Sequence, residues 1–150
     1  MDKEQLNIVN KLKCDEIKEY AGKLPINNIL VFGSLITDEF NEESDVDIAI
    51  FGDEKLHIKE VLRLELFLED LLERHIDVVD LRSETLDLFI KIDILNTGKS
   101  IYTTDNNESL ERFIDELDWY YKENEHYFQC RKRDLISWIE GLLKIINKLI

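Results

Sequence analysis

Two short apolar runs, Ile29-Leu30-Val31-Phe32 and Ile48-Ala49-Ile50-Phe51, face each other across one polar segment, and the residues at their inner ends constrain the fold most. Each run is short enough to be a buried strand. The first ends in a small, flexible turn, Gly33-Ser34; ten residues later the second is entered through Asp45-Val46-Asp47. On a strand, a spacing of two puts both carboxylates on the same face. Convergent carboxylates bind hard divalent cations such as Mg²⁺. A Gly-Ser turn feeding a helix offers backbone N–H groups and a hydroxyl to a phosphate. A metal beside a phosphate cradle is the equipment for phosphoryl or nucleotidyl transfer.

The rest of the chain reads as alternating helices and strands. Leu6, Val9, Leu12, Ile17 and Tyr20 form an apolar stripe that predicts one amphipathic helix over residues 2–20, ended by Gly22 and Pro25. After the strand at 29–32, a short helix is expected over 35–40, then a polar loop over 41–44 and a strand over 46–51. Val61, Leu64, Leu68, Leu71 and Leu72 line one side of a helix over 55–74. A third strand spans 76–81, a helix runs from about 83 to 96 with Gly98 as its cap, and a fourth strand covers 100–103. Asp105 or Asn106 caps a long helix reaching about residue 128. Leu135, Ile136, Ile139, Leu142, Leu143, Ile146 and Leu149 are helical in period and either continue that helix or fold back on it. The expected fold class is α/β, a mixed sheet of about four strands with packed helices and a helical C-terminal extension. The expected division is a core over 1–104 and an extension of the same domain over 105–150.

Composition narrows the partners. The 150 residues are enough for one domain with a real core. The formal net charge of −14 argues against broad, sequence-independent binding of nucleic acid, because phosphate repels such a surface. That charge is uneven: residues 1–121 carry −16 and residues 122–150 carry +2. No apolar run approaches a membrane span, and residues 1–20 have no apolar signal-like stretch. Cys14 and Cys130 lack metal-ligand spacing and read as free thiols in a reducing cytoplasm, so the expected location is cytoplasmic. His57, His75 and His126 are scattered, and each reads as a solvated or core residue rather than a ligand.

The Gly33-Ser34 turn and the Asp45-x-Asp47 strand resemble the signature of the polymerase-β-like nucleotidyltransferase superfamily. Their spacing is similar to the minimal nucleotidyltransferases, and the length and helical tail most resemble the MNT antitoxin of HEPN/MNT toxin–antitoxin pairs. The resemblance covers roughly residues 20–104 and more loosely the helix that follows. It implies Asp45 and Asp47 as catalytic metal ligands, Gly33 and Ser34 as nucleotide-binding residues, and a third carboxylate from a neighbouring strand. Asp77 and Asp80 both stand in the acidic strand His75-Ile76-Asp77-Val78-Val79-Asp80-Leu81, and their separation of three puts them on opposite sides. The family pattern fits Asp77, as ligand and general base for an incoming hydroxyl; Asp80 reads as a strand-end residue facing solvent.

By the same resemblance the cofactor is Mg²⁺, the substrate ATP or another NTP, and the acceptor hydroxyl a tyrosine of a HEPN-domain toxin that the transfer silences. One departure stands out. No Lys or Arg occurs from residue 24 to 54, where eight acids do, so the triphosphate needs cations from Lys55, Arg63, Arg82, Lys91, Lys99 or a partner protein. Two alternatives follow: a non-catalytic or weakly catalytic antitoxin that neutralises its partner by binding, and a small-molecule nucleotidyltransferase, against which the short tail counts. The tail holds both tryptophans and the basic run Arg131-Lys132-Arg133, residue types enriched at interfaces. It is therefore expected to bind the partner or to make a homo-oligomer through the C-terminal helices.

Overall fold

The computed structural model describes residues 2–149. Four strands, β1 (Asn28–Phe32), β2 (Val46–Phe51), β3 (Ile76–Asp80) and β4 (Lys99–Thr103), form one mixed sheet in the order β3-β2-β1-β4. β1 is antiparallel to both β2 and β4, whereas β2 and β3 are parallel. A parallel pair needs a crossover, and α3 (Ile58–Leu72) supplies it. The expected mixed four-stranded α/β architecture is what the chain adopts.

Strand alternation sorts the sheet into two chemically different faces. Ile29, Val31, Val46, Ile48, Ile50, Ile76, Val78 and Ile101 join one apolar cluster with Ile8 and Leu12 of α1 (Lys3–Leu12), Ile17 and Ala21 of α2 (Asp15–Gly22), and Val61, Leu64, Leu68 and Leu72 of α3. Each large aliphatic side chain buried there contributes roughly 1.5–3 kcal/mol. The intervening positions, Asp47, Ala49 and Phe51 in β2 and Asp77 in β3, point to the other face. One strand thus anchors the core and presents carboxylates. The outer edge of β3 is closed by its own crossover helix: the Val78 N–H donates to Glu65 Oε1 (3.0 Å) and the Ile76 N–H to Glu69 Oε1 (3.4 Å). The two glutamates thus occupy edge donors that a further strand would need.

Several elements differ from the sequence reading. Residues 2–20 form two helices, because the chain turns at Cys14, which is extended (φ −69°, ψ 162°) and caps α2. The five-residue step from Leu12 to Ile17, out of helical phase, marks that break. The buried face of α1 is Gln5, Ile8 and Leu12, while Leu6 is 49% exposed. After β1 there is a single 3₁₀ turn (Gly33–Ile36) in place of a helix over 35–40. α3 begins later than expected, with the His57 ring nitrogen accepting the Lys59 N–H at 3.1 Å, and ends at Glu73, whose φ is +55°. α4 (Leu88–Thr97) starts only where Asp87 accepts the Phe89 N–H (2.8 Å), and it ends at Gly98. Asp105 accepts the Ser109 N–H at 3.1 Å and the Ser109 hydroxyl at the head of α5 (Glu108–Glu123).

By its contacts the chain divides into two units, one ending at Ile114 and one beginning at Asp115. The second holds the end of α5 and α6 (Glu125–Leu149), separated by Asn124. Backbone bonding carries on through that residue: the Asn124 N–H reaches the Tyr120 carbonyl (3.2 Å) and the Phe128 N–H reaches the Asn124 carbonyl (3.1 Å). Phe128 is the buried centre of this unit, stacked on Tyr121 with Tyr120 and Tyr127 edge-on. Leu135, Ile136, Trp138, Ile139, Leu143 and Ile146 of α6 are exposed. Among the described residues no helix is long and apolar enough to cross a membrane.

Candidate active site

The Gly33-Ser34 turn is set by the pairing of β1 with β2. Phe32 lies opposite Asp47, so the chain leaves the sheet at the second carboxylate. Gly33 has φ +72°, and a Cβ there would overlap Asp47 Oδ2. Both the left-handed backbone and the close approach require glycine. The Ser34 carbonyl accepts the Thr37 N–H (3.0 Å) and hydroxyl (3.1 Å). Gln5 of α1 pins the turn from below, its Nε2 donating to the carbonyls of Leu35 (2.8 Å) and Thr37 (2.6 Å). This explains a buried glutamine on an otherwise apolar helix face.

The loop that delivers Asp45 is held by Arg74. Its Nη2 donates to the carbonyls of Asn41 (2.8 Å), Glu42 (3.0 Å) and Ser44 (2.9 Å), and its Nη1 to Glu4 (2.8 Å). The guanidinium also lies over the Phe40 ring at 4.6 Å. One cation thus neutralises the carbonyl end of an acidic loop and fixes the entry into β2.

Asp47 and Asp77 are register partners on parallel neighbours. Asp45, His75 and Asp77 each offer one ligand atom, and these atoms lie within 4.8 Å of one another. Asp47 is outside that trio, its carboxylate turned toward Gly33. Burial, followed by the charges of Asp77 and Asp45, raises the Asp47 pKa above the ordinary carboxylate value, with His75 opposing. His75 bridges two carboxylates: Nδ1 lies 3.2 Å from Glu69 Oε1 and Nε2 lies 3.2 Å from Asp77 Oδ1. Desolvation pulls its pKa down, but Asp45, Asp77 and Glu69 outweigh it, so the net direction is up.

Asp45 and Asp77 therefore come together, and Asp47 joins them through register and charge. His75, read from sequence as solvated or core, belongs to the cluster. Its signal was present: it stands two residues before Asp77, the same spacing that pairs Asp45 with Asp47. Asp80 does not face solvent. It is buried, accepting the Leu56 N–H at Oδ2 (2.7 Å) and the Arg82 N–H at Oδ1 (2.9 Å), and so fastens the segment before α3 to the end of β3. Of the candidate cations, Arg82 donates to the Gly52 carbonyl (2.9 Å) and lies over Phe51 (4.7 Å) and Phe113 (4.9 Å). Arg63 pairs with Glu60 at 2.7 Å. Partial burial lowers the Lys91 pKa, helped by Arg82 and opposed by Asp80 and Glu84.

Comparison with known proteins agrees with this geometry. Residues 15–107 match the family "Polymerase beta, Nucleotidyltransferase". A Methanocaldococcus jannaschii protein named "Putative protein adenylyltransferase" is 37% identical over 62 residues, which is 41% of this chain. The chain spans 63% of the length of that relative. Among solved structures, a chain of a toxin–antitoxin crystal structure with AMP-PNP superposes with a TM-score of 0.60 at 22% identity, covering 80% of this chain and 96% of the other. A chain from the tri-AMPylated Shewanella oneidensis HEPN toxin in complex with MNT antitoxin gives 0.56 at 22% identity, covering 83% and 96%. These structural likenesses speak to the fold; with the family match over residues 15–107 and a Gly-Ser turn packed against paired strand aspartates, they establish that the chain belongs to the polymerase beta nucleotidyltransferase family.

Proposed function

We propose that this chain transfers a nucleoside monophosphate, AMP from ATP, to a tyrosine hydroxyl of a HEPN-domain toxin and so acts as its antitoxin. The observation that carries the reading is the convergence of Asp45 and Asp77 beside Asp47 at the foot of the Gly33 turn. The family implies a divalent cation. The residues fit one: carboxylate oxygens and an imidazole nitrogen lie within 4.8 Å of one another, and an Asp47 carboxylate penalised by its neighbours gains from a cation. A bound cation such as Mg²⁺ would neutralise phosphate charge and polarise the reacting phosphoryl group. In this reading Asp45, Asp47 and Asp77 hold it, while Gly33 and Ser34 seat the triphosphate.

Asp77 takes the proton of the acceptor hydroxyl, whose oxygen attacks the α-phosphorus as pyrophosphate leaves. Before the cation binds, the His75 contact keeps the Asp77 carboxylate oriented. The names of the neighbouring structures, an AMP-PNP complex and an AMPylated HEPN toxin, support ATP as donor and a HEPN protein as acceptor. We assign catalysis to residues 1–104. The exposed apolar residues of α6 serve partner or self-association.

A second reading, neutralisation by occlusion, is favoured by the commitment of Arg74 to loop carbonyls and the Phe40 ring, and of Arg82 Nε to the Gly52 carbonyl with its guanidinium over Phe51. Incubation with Mg²⁺, labelled ATP and the HEPN partner separates the two. Label is expected in the partner band, with pyrophosphate released in equal amount. No transfer from any of the four nucleoside triphosphates would overturn the catalytic reading.

A further inference from the structure

We infer that His75 is a direct ligand of the metal centre and biases it toward Mn²⁺ over Mg²⁺, an inference that rests on reading the aspartate site as a metal centre. The ring lies at the mouth of β3, exposed, with one nitrogen turned to each side. Nδ1 is 3.2 Å from Glu69 Oε1, on the crossover helix. Nε2 points the other way, into the space it shares with Asp45 and Asp77.

This is how a metal-binding histidine is prepared. A carboxylate beside one ring nitrogen, as Glu69 stands beside Nδ1, favours the proton there and turns the lone pair of the other nitrogen to a cation. Glu69 is itself held in place, since it accepts the Ile76 N–H (3.4 Å) at the outer edge of β3. The second carboxylate of the bridge, Asp77, is a proposed ligand. A cation between Asp77 and Nε2 would therefore take the place of a proton shared by the same two groups.

Donor chemistry then sets the preference. A site of carboxylate oxygens alone suits Mg²⁺, Ca²⁺ and Mn²⁺, whereas imidazole nitrogen suits first-row transition ions. Mg²⁺ keeps its waters and gains little from a nitrogen donor. One imidazole among carboxylates consequently adds affinity for Mn²⁺ and little for Mg²⁺. Asp80, the other acid of this strand, has both oxygens committed to backbone N–H groups and adds nothing to the centre.

The test is calorimetric titration of Mn²⁺ and of Mg²⁺ into the full chain without nucleotide, for the parent, His75→Gln and Asp45→Asn. Circular dichroism confirms folding, which substitution of an exposed residue should not disturb. His75→Gln is expected to weaken Mn²⁺ by about tenfold and to leave Mg²⁺ within a factor of about two. Pulsed electron paramagnetic resonance of the Mn²⁺ complex should show coupling to a directly bound imidazole nitrogen in the parent and none in His75→Gln. Equal loss for both ions, no loss for either, or no nitrogen coupling in the parent overturns the role of His75. Asp45→Asn distinguishes failure of the underlying reading: if it binds both ions as tightly as the parent does, the aspartates are not a metal centre at all. Absence of Mn²⁺ binding by the parent overturns both.

Discussion

Asp47→Asn is expected to lose nucleotidyl transfer by at least about a hundred- to a thousandfold and yet to melt higher than the parent in metal-free buffer. The two effects have one cause. Asp47 is half-buried and flanked by Asp77 and Asp45, so its charge is unfavourable until a cation joins it. Asparagine removes that charge while keeping the side chain's shape. The pH dependence follows from the direction of the shift. Because folding raises the Asp47 pKa, ionisation favours the unfolded state as pH rises through the folded value. The Asn variant therefore gains most at neutral pH, and its advantage disappears below the ordinary carboxylate range, where the parent is neutral as well. Divalent cation should narrow or reverse the gap, raising the melting temperature of the parent more than that of the variant, which keeps Asp45, His75 and Asp77. Thermal melts with and without Mg²⁺ at pH 7 and pH 4, alongside transfer assays, check both halves.

Gly33→Ala is expected to damage fold and site together. A non-glycine residue at φ +72° costs about 1–3 kcal/mol by itself. The new methyl group also meets Asp47 Oδ2, so either the turn or the carboxylate must move. The turn cannot move freely, since Gln5 holds the carbonyls of Leu35 and Thr37. The carboxylate is therefore expected to swing, with loss of transfer beyond what the stability loss explains. Urea denaturation should show a lower midpoint with an unchanged slope. Unchanged stability and activity would mean that the turn does not approach Asp47 as described.

What the sequence made legible was local. β2 was readable at its full length because Val46, Ile48 and Ile50 alternate with Asp47, Ala49 and Phe51, and β-strand geometry converts that alternation directly into faces. The same rule paired Asp45 with Asp47. It would have paired His75 with Asp77 had the histidine not been weighed as one of three scattered residues. Contacts over long separations were out of reach, and one of them made the reading of Asp80 wrong. Gln5 is buried because of carbonyls about thirty positions away, Asp80 because of Leu56 twenty-four positions earlier, and Arg74 organises a loop some thirty residues before it. Nothing in the immediate neighbourhood of these polar residues distinguishes an inward from an outward side chain. The break between α1 and α2 was missed for a different reason. It contains neither glycine nor proline, and only the out-of-phase step from Leu12 to Ile17 betrays it.

The claim that the aspartates act by chemistry is tested most directly in cells that express the HEPN partner together with either the parent chain or the Asp45→Asn/Asp47→Asn double variant. Growth and the intact mass of the partner are the readouts. The parent is expected to protect, and the recovered partner to be heavier by at least one nucleoside monophosphate on tyrosine. The double variant is expected to bind the partner, leave its mass unchanged and fail to protect. Full protection by the double variant, with an unmodified partner, would contradict the catalytic account and leave occlusion as the function.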